Sequence, residues 1–151
     1  MAIRPQSELV TDRTSQDVQL KRTKGNLNVE DLNRIGEWQT YIRDLLNEYG
    51  YYVDITPKTD FVKSDLTNMT TKINKIKNDL QSLKDAYYVL STTPDVPSTE
   101  RLAINYVELN DIEKILRDIE YLIESMSKYF VHSGVALSGQ SHLWQNRFRR
   151  Y

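Results

Sequence analysis

The chain has 151 residues, a net charge of −1, 39% apolar residues and no cysteine. That length fits one domain with a core of its own. Without thiols there are no disulfides and no thiolate or zinc–thiolate chemistry; the balanced charge gives no global pull toward nucleic acid or an anionic membrane; no apolar run approaches the ~20 residues of a membrane span.

The first residues, Met1-Ala-Ile-Arg-Pro-Gln-Ser-Glu8, lack the apolar centre of a secretory signal. The expectation is a chain made in a cytoplasm that stays soluble or leaves by another route. Residues 1–24 carry no sustained apolar stripe and read as an arm. Ser15-Gln-Asp-Val-Gln-Leu-Lys-Arg22 suits a short helix, with Thr14 or Ser15 as its cap and Gly25 as a stop, too poor in apolar positions to stand alone. The arm is therefore expected to order against something else.

The spacing predicts a first long helix over 29–49. Asn28 is its N-cap, Asp31 completes a capping box, and Glu30 and Asp31 sit where the helix dipole favours them. Its apolar stripe is Ile35, Trp38, Ile42, Leu45 and Tyr49, and Gly50 ends it. Tyr51 to Thr56 then reads extended. A second helix is expected over 65–86, capped by Ser64, with the stripe Leu66, Met69, Ile73, Ile76, Leu80, Leu83 and Tyr87. Residues 88–104, rich in turn formers, are a connector. A third helix is expected over 106–130, capped by Asn105 with Glu108 at the capping-box position, along Leu109, Ile112, Leu116, Ile119, Ile123, Met126 and Phe130.

Alternating three- and four-residue spacings in all three stripes imply coiled-coil-like packing. The fold expected is all-α: an antiparallel three-helix bundle (25–130) with an N-terminal arm (1–24) and a C-terminal extension (131–151). The extension, Val131 to Leu137, a turn at Ser138 to Ser141, then His142 to Phe148, fits a short β-hairpin too small to stand alone. In that hairpin His132 and His142 are ordinary strand residues; their separation does not suit zinc.

The words Asn28-Val-Glu-Asp31-Leu32-Asn33-Arg-Ile35 recur as Asn105-Tyr-Val-Glu108-Leu109-Asn110-Asp-Ile112, and Asp65-Leu66-Thr67-Asn68-Met69 is a fainter echo. Cap, acid and leucine follow from helix physics. The asparagines Asn33 and Asn110 leave two readings open: surface residues tolerated near a cap, or side chains that bond a neighbouring helix end or arm and set its register.

Nothing in the sequence forms a catalytic constellation, so catalytic, cofactor-binding and metal-binding residues are expected to be none, and no cofactor is implied. Carboxylates such as Glu113 and Asp44 read as the solvated faces of helices. Trp144, Arg147, Phe148, Arg149, Arg150 and Tyr151 form a basic, aromatic end. It reads as a solubilising tail or as interface anchors for another protein. Three arginines offer few phosphate contacts for nucleic acid.

The segment Lys24-Gly-Asn-Leu-Asn-Val-Glu-Asp-Leu-Asn-Arg-Ile35, with Leu45-Leu-Asn-Glu-Tyr-Gly-Tyr51 after it, resembles minor structural proteins of tailed phages and prophages of Gram-positive bacteria. Val10-Thr-Asp-Arg-Thr14 through Asp17-Val18, Ala86-Tyr-Tyr-Val89 and Asn110-Asp-Ile-Glu-Lys-Ile-Leu116 extend the likeness over residues 9–130. The resemblance implies a building block of a tail, tail tip or baseplate, located in the virion and linking a fibre or receptor-binding element to the tail. Its partners would be other virion structural proteins and further copies of itself, with no nucleic acid and no membrane. A module binding host-wall carbohydrate through its tyrosines is the competing expectation.

Overall fold

The structure is a computed structural model that describes residues 2–67, 69–99 and 104–136, with side chains described through Lys128. The described residues are helical and contain no strand. The elements are a short α1 (Ser15–Gln19), α2 (Val29–Glu48), α3 (Met69–Asp85) and α4 (Tyr106–Ala136), with 3₁₀ turns at Thr23–Gly25 and Lys63–Leu66. Each of the three long helices packs on the other two. They share one core that includes Leu32, Ile35, Trp38, Ile42, Leu46, Ile73, Leu80, Leu83, Ile112, Leu116, Ile119 and Ile123.

The helix starts follow from local chemistry. Asn28 Oδ1 accepts from the Asp31 amide at 2.8 Å while Asp31 accepts from the Asn28 amide. Asn105 and Glu108 repeat the exchange at 2.8 and 3.1 Å, and Thr14 and Asp17 do the same for α1. These reciprocal bonds satisfy amides that have no partner inside the helix. Gly50, at φ +90°, stops α2 in the left-handed region that favours glycine.

Three expectations are corrected. Ser64 does not cap α3: it lies in a 3₁₀ turn whose leading amide, that of Val62, donates to Asp65 at 2.8 Å, and α3 begins at Met69. Asp65 and Leu66 of the echo therefore lie in the turn before the helix, and Met69 is the first residue of α3. Val131–Ala136 is not the first strand of a hairpin but the last part of α4. One glycine, Gly134, costs a helix only about 1 kcal/mol, and no proline interrupts the run. The rest of the expected hairpin, residues 137–151, lies outside the described residues.

The third correction concerns direction. From α2 to α4, Arg34 meets Glu113, Tyr41 lies by Glu120, and Tyr51, just past α2, meets Met126. From α2 to α3, Gln39 donates to the Ile76 carbonyl and Tyr51 packs on Tyr87. Residue numbers rise together in both series, so the three long helices run the same way; the antiparallel arrangement is not formed. The connections permit this. Twenty residues separate α2 from α3 (69 − 48 − 1) and twenty separate α3 from α4 (106 − 85 − 1). At roughly 3.3 Å per extended residue that is about 66 Å, ample to travel back along a 30 Å helix, whereas antiparallel neighbours are usually joined by about 2–8 residues.

Each connection returns as an extended strap along the helices. Residues 51–62 descend α2: Val53 meets Asn47, the Ile55 carbonyl accepts from Arg43, the Lys58 carbonyl lies against Gly36, and Phe61 meets Asn33. Lys75 of α3 reaches the Thr56 carbonyl from the other side. Residues 88–99 descend α3, with Lys84 on the Pro94 carbonyl and Lys77 on the Ser98 carbonyl, while Thr93 bonds Asp118 of α4. The N-terminal arm is the third strap. Ala2, Ser7 and Arg13 meet Glu48, Trp38 and Asp31 of α2 in turn, and Arg4, Thr11 and Arg13 meet Glu120, Arg117 and Asn110 of α4. The arm thus orders on its own body. Three helices make three grooves, and one strap lies in each.

Candidate functional site

The arm's groove holds the densest chemistry among the described residues. At its lower end Arg13, Asp31, Arg34 and Glu113 close a ring in which each guanidinium touches both carboxylates. The Arg13 and Glu113 side chains are 1% and 0% exposed. Two positive and two negative charges cancel, which is the condition for burying them. Arg13 has its donors filled: Nε on the Lys24 carbonyl at 3.1 Å, one terminal nitrogen on the Val10 carbonyl at 2.8 Å, the other on Asp31. Glu113 Oε2 lies 2.6 Å from Arg13, off the axis of a hydrogen bond. The expectation that Glu113 belongs to a solvated face is wrong. It faces the groove that the arm covers, and Asp31, Glu108, Asp118 and Glu120 are buried as well.

Beside the ring, the repeated asparagines show their purpose. Asn110 Oδ1 accepts from the Arg13 amide at 3.1 Å and its Nδ2 donates to the Arg13 carbonyl at 2.9 Å. Asn33 grips Phe61 in the same manner, at 2.6 and 3.1 Å. A carboxamide offers one acceptor and a donor side by side, matching the amide and carbonyl of one extended residue. Each asparagine therefore clamps one strap and sets its register, the second of the two readings left open by the sequence. A third copy was missed there. Ile73-Asn74-Lys-Ile76 in α3 matches Leu32-Asn33-Arg-Ile35 and Leu109-Asn110-Asp-Ile112, with both isoleucines in the core. Asn74 Oδ1 is buried and finds no hydrogen-bond partner among the described residues.

Higher in the groove, Arg4 bonds Glu8 and Glu120 and lies 4.8 Å over the Trp38 ring, whose Nε1 donates to the Ser7 carbonyl at 2.9 Å. An open pocket of about 390 Å³ borders this strip, lined by Ile3, Arg4, Glu37, Tyr41 and Asp44 among others. Burial, and then Glu120 beside the hydroxyl, hold the Tyr41 pKa well above its ordinary value.

At the far end of the helices Tyr51 and Tyr87 pack edge to face, 4.7 Å between centroids, and both hydroxyls point at the Met126 sulfur. Tyr52 and Tyr88 are 78% and 77% exposed. Tyr51 and Tyr87 are partly buried against the core, and exposed Tyr88 packs edge to face on Tyr87 at 5.5 Å. α4 continues from Met126 to Ala136, ten residues (136 − 126) or about 15 Å past that level.

The interface residues expected at the C-terminus, Trp144, Arg147, Phe148, Arg149, Arg150 and Tyr151, and His142 with them, lie outside the described residues. Among the described residues no group of three or more His, Cys, Asp or Glu is placed to hold a metal ion, and no helix is long and apolar enough to cross a membrane. No protein-family model, curated protein or solved structure matches this chain.

Proposed function

We propose that this protein is a structural component of a phage or prophage-derived tail, tail tip or baseplate, acting by protein–protein assembly. The reading comes from the resemblance of residues 9–130, and the observation that supports it is the run of α4 beyond the rest of the body. α4 runs ten residues past the level of Met126, and the sequence after it contains Trp144 and Arg147 to Tyr151. Aromatic and arginine side chains are the usual anchors of protein interfaces. The partners would be other virion proteins and further copies of this chain, and the element carried a fibre or receptor-binding protein.

Deleting residues 137–151 tests the reading. The shortened chain should keep its helical circular dichroism and fail to enter particles; normal incorporation would refute the interface.

A second reading, a module for host-wall carbohydrate, is favoured by exposed Tyr52 and Tyr88, since sugar faces stack on such rings. Calorimetric titration with wall polysaccharide separates the two: heat that disappears in a Tyr52→Ala/Tyr88→Ala chain supports carbohydrate binding, and no heat supports assembly.

A further inference from the structure

We infer that the groove between α2 and α4 is an exchange site, and that its occupant in the assembled state is the arm (residues 2–13) of a second copy of this chain. The inference rests on the assembly reading and gives it a mechanism. The other two straps each join two long helices of the body. Among the described residues the arm joins a long helix only at its Arg13 end, through α1 and the turn at Thr23–Gly25. Removing it from the groove therefore moves no helix.

The arm's hold is also of a different kind. Residues 2–12 place no fully buried apolar side chain in the core; Ala2 and Leu9 only flank it, and Ile3 is 80% exposed. The attachment is a series of polar contacts: the Ala2 amide on Glu48, Arg4 on Glu120, the Ser7 carbonyl on Trp38, Thr11 on Arg117, and the Arg13 clamp with its ionic ring. Outside the buried Arg13 ring, such contacts specify a sequence and a register more than they add affinity, because water can serve the same groups once the arm leaves.

An empty groove is the reverse case. Asp31 and Glu113 would face each other with Arg34 alone between them, and the Trp38 indole would lose its acceptor. That cost is removed by any chain that presents the same residues at the same spacing, and an identical copy does so. Swapping an identical element creates new contact only at the hinge and is a low-cost route to association. The hinge would lie between Arg13 and α1, which stays packed on the turn at Thr23–Gly25.

The chain has no cysteine, so single thiols can be placed at will. Thr11 Oγ1 and the Arg117 guanidinium are 2.9 Å apart near the protein surface. A Thr11→Cys chain is mixed with an Arg117→Cys chain and treated with a short bis-maleimide; the doubly substituted chain is treated in parallel. Exchange predicts a covalent pair linked between positions 11 and 117 in the mixture, growing with protein concentration. The outcome that overturns the inference is linkage within one chain in the double variant and no 11–117 pair in the mixture at any concentration. Absence of the link in both would also overturn it, since the arm would then occupy neither groove. Loss of exchange with normal particle incorporation would remove this mechanism and leave the assembly reading standing, whereas incorporation of the chain lacking 137–151 bears on that reading alone.

Discussion

The arm and the strap at residues 51–62 do the same geometric work with different materials. Both run extended, opposite to α2, and both are clamped by an asparagine at the same place in the helix repeat. The inner strap adds Val53, Ile55 and Phe61 to the core and lies so close to α2 that the Lys58 carbonyl touches Gly36. The arm adds charge instead, centred on Arg13. A strap fixed at both ends can be held by non-directional burial, because its register is limited by the chain. The arm joins no second long helix among the described residues, and the buried ring with the Asn110 clamp supplies the directional contacts that fix its register.

The comparison breaks most sharply at Arg13. Arg13→Ala should lower stability by about 3–5 kcal/mol, the usual effect of leaving buried carboxylates with half their partners. Chemical denaturation measures the loss. Hydrogen exchange should show protection disappearing from residues 2–13 while the amides of 51–62 keep theirs. Equal loss in both straps would mean that they are not independent.

Gly36 is the matching site for the inner strap. A Cβ there would stand 2.0 Å from the Lys58 carbonyl oxygen, which is backbone and cannot rotate away. Gly36→Ala should cost about 1–3 kcal/mol as an overpacked contact, in spite of the helix propensity of alanine. Its exchange pattern should be the inverse of the Arg13 variant, with residues 55–61 exposed and the arm intact.

The two clamps sharpen the comparison at smaller energy. Asn33→Ala and Asn110→Ala each remove two bonds to half-buried backbone groups that water can partly replace, so each should cost about 1 kcal/mol. The effect should be local: Asn33→Ala loosens Phe61 and Asn110→Ala loosens Arg13. Because the arm has the ionic ring as a second anchor beside its clamp, Asn110→Ala should raise exchange at Arg13 less than Asn33→Ala raises it at Phe61.

What the sequence discloses here follows the range of each interaction. Asn28 with Asp31 and Asn105 with Glu108 are three-residue arrangements, and the structure contains both boxes. Ser64 has the composition of a cap but stands before a 3₁₀ turn, where Asp65 already satisfies the Val62 amide. Helix direction was open to reading from the two equal connections, each too long for antiparallel neighbours, but stripes of the same period fit either direction. Glu113 lies beside its helix's apolar stripe, and only the groove with the arm in it buries that flank. Its partner Arg13 is 100 residues earlier, beyond any local pattern. The Ile73-Asn74-Lys-Ile76 copy was obscured because Met69 and Lys72 stand in its word where Asn28 and Asp31 stand in the first.

Tyr41 gives the smallest energetic effect and the most direct report on the arm. Burial is the main reason its pKa is raised, followed by Glu120, and Arg4 opposes the shift. Ile3, Arg4, Pro5 and Gln6 of the arm line the same open pocket as Tyr41. A phenol held protonated by folding contributes stability below its unfolded pKa of about 10, and that contribution is lost as pH rises toward the folded value. Stability should therefore fall above about pH 10, and more shallowly in Tyr41→Phe. Tyrosinate absorbance in the folded chain should show a late-titrating step that Tyr41→Phe removes, beside that of Tyr87, whose pKa burial also raises. Arg13→Ala, which frees the arm without touching Tyr41, should let water reach the hydroxyl and bring its titration back toward the ordinary range. If the late step that Tyr41→Phe removes persists in the Arg13 variant, α2 and α4 alone bury Tyr41 and the arm contributes nothing to its environment.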